Sequence, residues 1–573
     1  MDASSFLHQS DSRYCFSLGP DRVLFRLAVA KREKVDSVEL IYGLPHRFGR
    51  EHYFQKMEIR YDDGIYAYYE TVVGFHPPRF LYIFRITAGG KRYALTEFGI
   101  EETYDYNRGF LNTFQMIGEN RADYCLPKPS WVGRLVYQIF PERFASHVNP
   151  KTKPYVNRSW DSLDLRGGWN NPPFLGGDLY GIVDHLDYLQ SLGVGAIYLN
   201  PIHPSPSNHK YDILDYYDVD PVFGGKETFR LLVSEAKKRD MKVMMDLVFN
   251  HTSHLHPMFQ DVLAKGKASP YHEFYFIHGD KPDIHKLNYD TFATHFAMPK
   301  LDTNNPKVQD FLISIGEYWL REFGVNGFRL DVCEGVSHEF WTRFKMALKR
   351  IDPEVFLLGE FWMNCESFLG PSQIDGAMNY PYMSAVSDFV SGQKDAQKSA
   401  EMINNLLVRY KYGNNAMMLN LLSSHDTQRF LRFCQGDRDR SLQAYALLYF
   451  YLGLPCLYYG DEIFMDGGGD PDCRRGMEWG SPAFKSQQHA TLALLGQLRR
   501  DDPVFKTGDI SVKAEGGLLA ISRTINGRGL VLLANNGSEP LPLHGEAILS
   551  NLVTGGVILP KGFAVVAETE RKD

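Results

Sequence analysis

The sequence predicts an α/β protein: a TIM-type (β/α)8 barrel with an insertion after its third strand, flanked by N-terminal and C-terminal β-sandwich domains. Three observations predict it. From Trp131 to about residue 500, short apolar runs of strand character alternate with amphipathic stretches, the pattern of parallel strands joined by helices. Four strand-like segments end in acidic, basic or imidazole groups: Asp246-Leu-Val-Phe-Asn-His251, Gly327-Phe-Arg-Leu-Asp331, Leu358-Gly-Glu-Phe-Trp362 and Ser424-His-Asp-Thr427. Such a run wants burial and the polar groups after it want a cleft, as at the carboxyl ends of barrel strands. Before residue 125 and after residue 502, strand signals come without helical periodicity.

Residues 1–125 read as the first sandwich. Val23-Leu-Phe-Arg-Leu27, Tyr66-Ala-Tyr-Tyr69 and Leu81-Tyr-Ile-Phe84 are strand-like, with turn signals at Asp62-Asp-Gly64, His76-Pro-Pro78 and Gly89-Gly90. Pro127 and Pro129 mark a linker. Within the barrel, 130–500, the expected strands are Leu135–Phe140, Ala196–Leu199, Lys242–Leu247, Gly327–Leu330, Val355–Leu358, Ala377–Tyr380, Met417–Leu421 and Cys456–Tyr459. Stretches such as Phe229–Arg239 supply the helices between them. Residues 252–300, rich in His, Tyr and Phe and poor in periodicity, read as an insertion that shapes a binding site. The longest apolar run, Ala444 to Tyr459, is broken by Gly453 and Pro455 and falls short of the ~20 residues of a membrane span. It reads as a buried helix entering a buried strand. Leu518-Leu-Ala-Ile-Ser522, the hairpin dipeptide Asn526-Gly527 and Leu530-Val-Leu-Leu533 give the second sandwich, 502–573.

The bulk properties exclude several classes. The net charge of −7, with no Lys/Arg block, favours neither nucleic acid nor an anionic membrane as partner. Seven scattered cysteines without a Cys-x-x-Cys pair argue against a disulfide framework and a structural zinc site. Met1-Asp-Ala-Ser-Ser-Phe6 lacks the basic-then-apolar pattern of a secretion signal, so a cytoplasmic location is expected.

Three carboxylates brought together at strand ends, Asp331, Glu360 and Asp426, suggest sugar chemistry. Further stretches sharpen this: Tyr137-Gln-Ile-Phe-Pro-Glu-Arg-Phe144, Gly176-Gly-Asp-Leu179, Ser205-Pro-Ser-Asn-His-Lys-Tyr-Asp212, Met298-Pro-Lys-Leu-Asp302 and Tyr458-Tyr-Gly-Asp-Glu462. With these, nearly the whole chain resembles the α-amylase superfamily of glycoside hydrolases, and within it the neopullulanase, cyclomaltodextrinase and maltogenic amylase group.

The resemblance implies a retaining α-glucan hydrolase acting on α-1,4 and also α-1,6 bonds of maltooligosaccharides, cyclomaltodextrins and pullulan, with some transglycosylation. It implies Asp331 as nucleophile, Glu360 as acid and base, and Asp426 as the residue gripping two hydroxyls of the bound glucose. Arg329 is expected to keep Asp331 ionised, and Asp246 to support Arg329. His251 and His425 match residues that bond sugar hydroxyls, and His209 and Tyr211 an edge contact and a stacking platform. Asp470 and Arg474 match a pair on that sugar's far side, and Trp362 borders the acceptor side. Phe361 and Trp362 offer Glu360 an apolar surrounding that raises a carboxyl pKa. The group's N-terminal domain commonly mediates dimerisation, so a homodimer is expected.

The chain departs from the group in places. Asp331-Val-Cys-Glu-Gly335 stands where Asp-Val-Ala-Asn-Glu is usual, and Met363-Asn364, Gly469 and Asp302 also differ. These put acceptor preference in question without touching the three carboxylates. No cofactor is required. Related proteins bind calcium through an Asn/Asp-rich loop and a following Gly-Asp. Phe144-Ala-Ser-His-Val-Asn149 offers too few oxygens for the 6–8 calcium wants, so no tight calcium is expected there. The alternatives are an exo-acting α-glucosidase or oligo-1,6-glucosidase and, more remotely, a non-catalytic amylase-like glucan-binding protein.

Overall fold

The computed structural model describes residues 1–74, 79–108, 111–117, 120–166 and 172–569. The turn signal at His76-Pro-Pro78 lies outside the described residues.

All eight expected barrel strands form: Leu135–Ile139, Val194–Leu199, Lys242–Leu247, Gly327–Leu330, Phe356–Gly359, Gly376–Ala377, Leu419–Asn420 and Leu454–Tyr458. They pair in parallel in the order 6-5-4-3-2-1-8-7, and a parallel bridge from Met378 to Leu419 joins the sixth to the seventh and closes the barrel. Each strand is buried on both faces, which is why it reads in sequence as a continuous apolar run. Val136, Ala196, Tyr198, Met244, Phe356, Leu358, Leu419 and Cys456 pack together with Trp131. The alternate residues Tyr137, Ile197, Leu199, Val243 and Met245 join the larger apolar core formed with the helices. The helix Gly225–Lys238 shows how: it buries Phe229, Leu232, Val233 and Ala236, spaced three and four apart, and leaves its lysines outside.

The insertion after the third strand is organised by the helix Pro257–Lys265 and by bridges between His251 and Lys300 and between Thr291 and Pro299. Its own small core is Phe259 against Tyr275 and Tyr289. The run Ala444–Tyr459 is a helix then a strand, as its sequence predicts. The helix Arg438–Phe450 is buried at every position from Ser441 to Phe450. Arg523 reaches the Phe450 and Tyr451 carbonyls from the C-terminal sheet, and Arg499 bonds the Tyr449 and Tyr451 carbonyls. These two guanidinium groups satisfy carbonyls that a helix end leaves without partners.

In the N-terminal unit, the strand Tyr53–Asp62 serves two sheets, pairing first with Ser37–Gly43 and then with Tyr66–Gly74. Phe25, Leu27, Leu40, Met57, Tyr82, Phe84 and Phe114 fill the space between them. The C-terminal unit, expected as a second sandwich, is instead one six-stranded antiparallel sheet over 509–569, whose inner face packs on the barrel in place of a partner sheet. Leu519, Ile521, Leu532 and Phe563 face the barrel, while Leu518, Val531, Ile558 and Val566 form a separate apolar set. Asn526 and Gly527, with φ of 50° and 74°, make its tight hairpin. The Pro127–Pro129 segment is packed down: the Cys125 thiol bonds Asn414, and Lys128 Nζ bonds the Pro353 carbonyl.

Candidate active site

The carboxyl ends of the barrel strands enclose a cavity of about 390 Å³. Its floor is built on one guanidinium. Asp246 and Arg329 sit opposite each other on the third and fourth strands, and two residues on, the alternation of the strand brings Asp331 to the same side. Arg329 is fully buried. Its Nη1 donates to Asp246 at 3.1 and 3.2 Å and to Asp331 Oδ1 at 2.8 Å, while Nη2 lies 3.0 Å from Glu360 Oε2. Glu360 Oε2 also accepts the backbone N–H of Val332 at 2.9 Å. Val332 holds φ 44°, a left-handed conformation that a β-branched residue adopts only under strain.

One cation therefore serves three buried carboxylates. Burial pushes the Asp331 carboxyl well above the usual range; Arg329 opposes this, and Glu360 and Asp246 reinforce it. Burial likewise pushes Asp246 up to about 6 against the pull of Arg329. Arg329 pulls the Asp331 carboxyl down, in the expected direction, and burial is the larger effect. A guanidinium shared three ways opposes the effect of burial on each carboxylate but does not cancel it at Asp331.

The wall opposite holds Asp426. His425 Nε2 lies 3.0 Å from Asp426 Oδ2, and Arg474 Nη2 3.3 Å from Oδ1; Arg474 Nη1 also pairs with Asp470 at 2.9 Å. Gln138 donates to His425 Nδ1 at 2.8 Å, which assigns the hydrogen to Nε2. Tyr211 stacks on His425 at 5.4 Å, and its hydroxyl donates to Asp246 at 2.8 Å, tying wall to floor. His209 Nδ1 accepts the Tyr211 N–H at 3.2 Å, with the Ser207 hydroxyl also within 3.2 Å, and the ring joins the pocket lining. Burial keeps all three imidazoles neutral: His251 is pushed down to about 3, and His209 and His425 go well below their ordinary value.

His251 reaches the pocket differently from the expectation. Both its ring nitrogens are engaged, Nδ1 by Asn250 and Nε2 by the Tyr211 carbonyl, each at 3.2 Å. Phe292 from the insertion stacks against it at 5.3 Å. Trp362 lies flat on the buried Tyr380 at 3.9 Å and is 45% exposed, which leaves an apolar face at the cavity rim.

The structure therefore gathers every sequence-predicted site residue. Sequence reasoning did not single out Phe292 and Met298 as pocket-lining residues. Nor did it assign Gln138 and Asn200, which hold His425 and Tyr211. Gln138 sits in the quoted Tyr137-Gln-Ile motif, where its polarity within an apolar strand was a readable signal. Among the departures, Glu334 lines the cavity, and the Glu360 charge adds to the effect of burial in raising its carboxyl. Gly335 packs so closely that a Cβ would lie 2.5 Å from Asn250 Oδ1. Lys300 Nζ bonds that same oxygen at 2.5 Å and the Gly335 carbonyl at 2.7 Å. Gly469 has open space around it. A second cavity of about 340 Å³ shares His209, Asp470 and Arg474 as its partition.

Comparison with known proteins agrees with this geometry. The sequence model of the alpha amylase catalytic domain matches residues 138–488, and that of the alpha amylase N-terminal ig-like domain matches residues 1–117. A cyclomaltodextrinase of Geobacillus thermopakistaniensis is 37% identical over 579 aligned residues, covering 98% of this chain and 96% of that protein. An intracellular maltogenic amylase of Bacillus subtilis is 36% identical over 557, covering 94% and 92%. A solved cyclomaltodextrinase structure superposes with a TM-score of 0.88 at 30% identity, covering 99% and 98% of the two chains.

Proposed function

The chain belongs to the α-amylase family, and from that premise we propose that it hydrolyses α-glucans by a retaining mechanism, with cyclomaltodextrins and short maltooligosaccharides as its main substrates and pullulan as a further one. The observation that carries the mechanism is the shared guanidinium: Asp331 Oδ1 accepts from Arg329 Nη1 at 2.8 Å, and Glu360 Oε2 lies 3.0 Å from the neighbouring Nη2. That favours the closely spaced carboxyl pair of retaining enzymes over the ~6.5–9.5 Å separation that leaves room for an inverting water.

Glu360 gives its proton to the glycosidic oxygen as the bond to the anomeric carbon breaks, and Asp331 attacks that carbon. The leaving sugar departs with the proton. Water then attacks the same carbon, returns a proton to Glu360 and frees Asp331. Asp426 grips sugar hydroxyls, and the neutral Nε2–H of His425, which lies 2.6 Å from the Tyr211 hydroxyl and 3.0 Å from Asp426, turns to them when sugar binds. Neutral imidazoles suit this task, because they bond hydroxyls without adding positive charge beside a developing oxocarbenium ion. Trp362 offers its exposed face to the acceptor sugar.

The experiment is a product profile from cyclomaltodextrin, pullulan, soluble starch, maltotriose and panose. Preference for cyclomaltodextrin over starch supports the reading; glucose released from every chain end would replace it with an exo-acting α-glucosidase.

The same reading makes the protein a homodimer through its N-terminal domain. The support is an exposed strand there, with Tyr53, Phe54 and Ile59 each about half exposed. A light-scattering mass near the 65.5 kDa of one chain would count against it. No helix among the described residues is long and apolar enough to cross a membrane. A cytoplasmic location is supported by seven buried thiols and by the name of the Bacillus subtilis relative.

A further inference from the structure

Calcium, which relatives hold between the loop after the first barrel strand and the Gly-Asp turn before the next helix, does not fit the residues present here. Lys153 Nζ lies 2.6 Å from the Gly176 carbonyl oxygen and 2.5 Å from Asp178 Oδ2. Those are the two oxygens the turn would offer a cation, and the lysine and aspartate side chains are only 12% and 9% exposed. The remaining oxygens are also engaged. Asp178 Oδ1 accepts the Gly181 and His147 N–H groups at 2.6 and 3.4 Å, and the Ser146 hydroxyl donates to Oδ2 at 3.3 Å. Asn149 Oδ1 caps a helical turn by accepting the Lys151 N–H at 3.1 Å, and its carbonyl accepts the Thr152 N–H at 3.0 Å and its hydroxyl at 2.8 Å. Calcium wants 6–8 oxygens, and a divalent ion here would have to displace an ammonium already in contact with both.

The turn itself cannot relax outward. Glu142 Oε1 accepts the Leu175 and Gly176 N–H groups, and a Cβ on Gly177 would lie 2.2 Å from the Pro141 carbonyl oxygen. We propose that the Lys153 ammonium is the built-in cation of this place, tethering the loop 145–153 to the turn 176–178 so that no divalent ion is needed there. The tether reaches the substrate region through the same segment, since Pro172 and Pro173 line the second cavity beside His209 and Arg474.

The test is calorimetric unfolding of the full-length enzyme in EDTA and in millimolar calcium chloride, with Lys153→Met, Asp178→Asn and the double variant. The wild-type Tm should be the same in both buffers. Lys153→Met should lower Tm in both by about 2 °C or more, by leaving Asp178 without its counter-charge. The double variant should lose less than the sum of the single losses, because asparagine keeps the cap and carries no charge to neutralise. A wild-type Tm that falls in EDTA and returns with calcium would overturn the proposal, as would an unmoved Tm in Lys153→Met or strictly additive losses. The wild-type arm decides even if Lys153→Met does not fold.

Discussion

At the scale of single residues, the site is a charge problem solved by sharing. Arg329 touches Asp246, Asp331 and Glu360, so removing any one partner redistributes the others. Asp331→Asn keeps the bond to Arg329 through its amide oxygen but removes the nucleophile; kcat should fall on the order of 10⁴-fold or more with Tm unchanged or raised, read by steady-state kinetics and calorimetry. Gly335 answers a different question, why an acidic residue sits one place early. The glutamate that the group carries at this position has no room, because Asn250 Oδ1 is held against Gly335 by Lys300. Gly335→Ala should therefore cost about 1–3 kcal/mol, as a lowered denaturant midpoint, and shift the ratio of transfer to hydrolysis. The carboxylates and Arg329 were legible in sequence because strand alternation dictates their common side. The engagement of His251 by the Tyr211 carbonyl was not, since it depends on a loop approaching from a different strand.

At the scale of elements, each strand end does one task. The fourth and fifth carry the reacting carboxylates, the seventh is followed by the Asp426 wall, and the eighth leads into Glu462. That residue is fully buried and accepts the Tyr137 and Tyr188 hydroxyls at 2.8 and 2.9 Å, with Oε2 buried and without a hydrogen-bond partner. Burial pushes it up to about 7 from an ordinary 4.5, outweighing the hydroxyls that pull it down. A carboxyl with a raised folded value favours folding while protonated. Its contribution is present below about pH 4.5 and is lost as the pH rises through about 7. Glu462→Gln should accordingly leave stability near pH 5 little changed and raise it near pH 8 by up to about 3 kcal/mol, measured by urea unfolding at both. All eight barrel strands were legible because their two-sided burial writes unbroken apolar runs. The helix and bridges of the insertion were less so: its contacts are aromatic pairs such as Phe259 and Tyr289, which follow no period.

At the scale of the whole molecule, three units share interfaces. Asn404 bonds the carbonyls of Asp62 in the N-terminal unit and Val512 in the C-terminal sheet, so one barrel helix, Ala396–Leu407, touches both. Domain order was readable from composition shifts; this three-way contact was not, because it is made by isolated polar side chains. The helix Arg438–Phe450 is the other junction. Its Gln443 amide donates to the Asn535 and Gly562 carbonyls, and its end is held by Arg523. A chain ending at residue 508 keeps every barrel strand but uncovers this helix. It should be recovered as aggregate, or bind a hydrophobic dye strongly, when the full chain is soluble. The same burial bears on the order of events during synthesis. The helix leaves the ribosome well before the strand Val557–Thr569 that its Gln443 reaches, so the nascent barrel carries an uncovered apolar helix for the time needed to translate the hundred or so residues between them. The strand Val557–Thr569 thus covers a helix made long before it, and the barrel depends on a strand outside its own sheet.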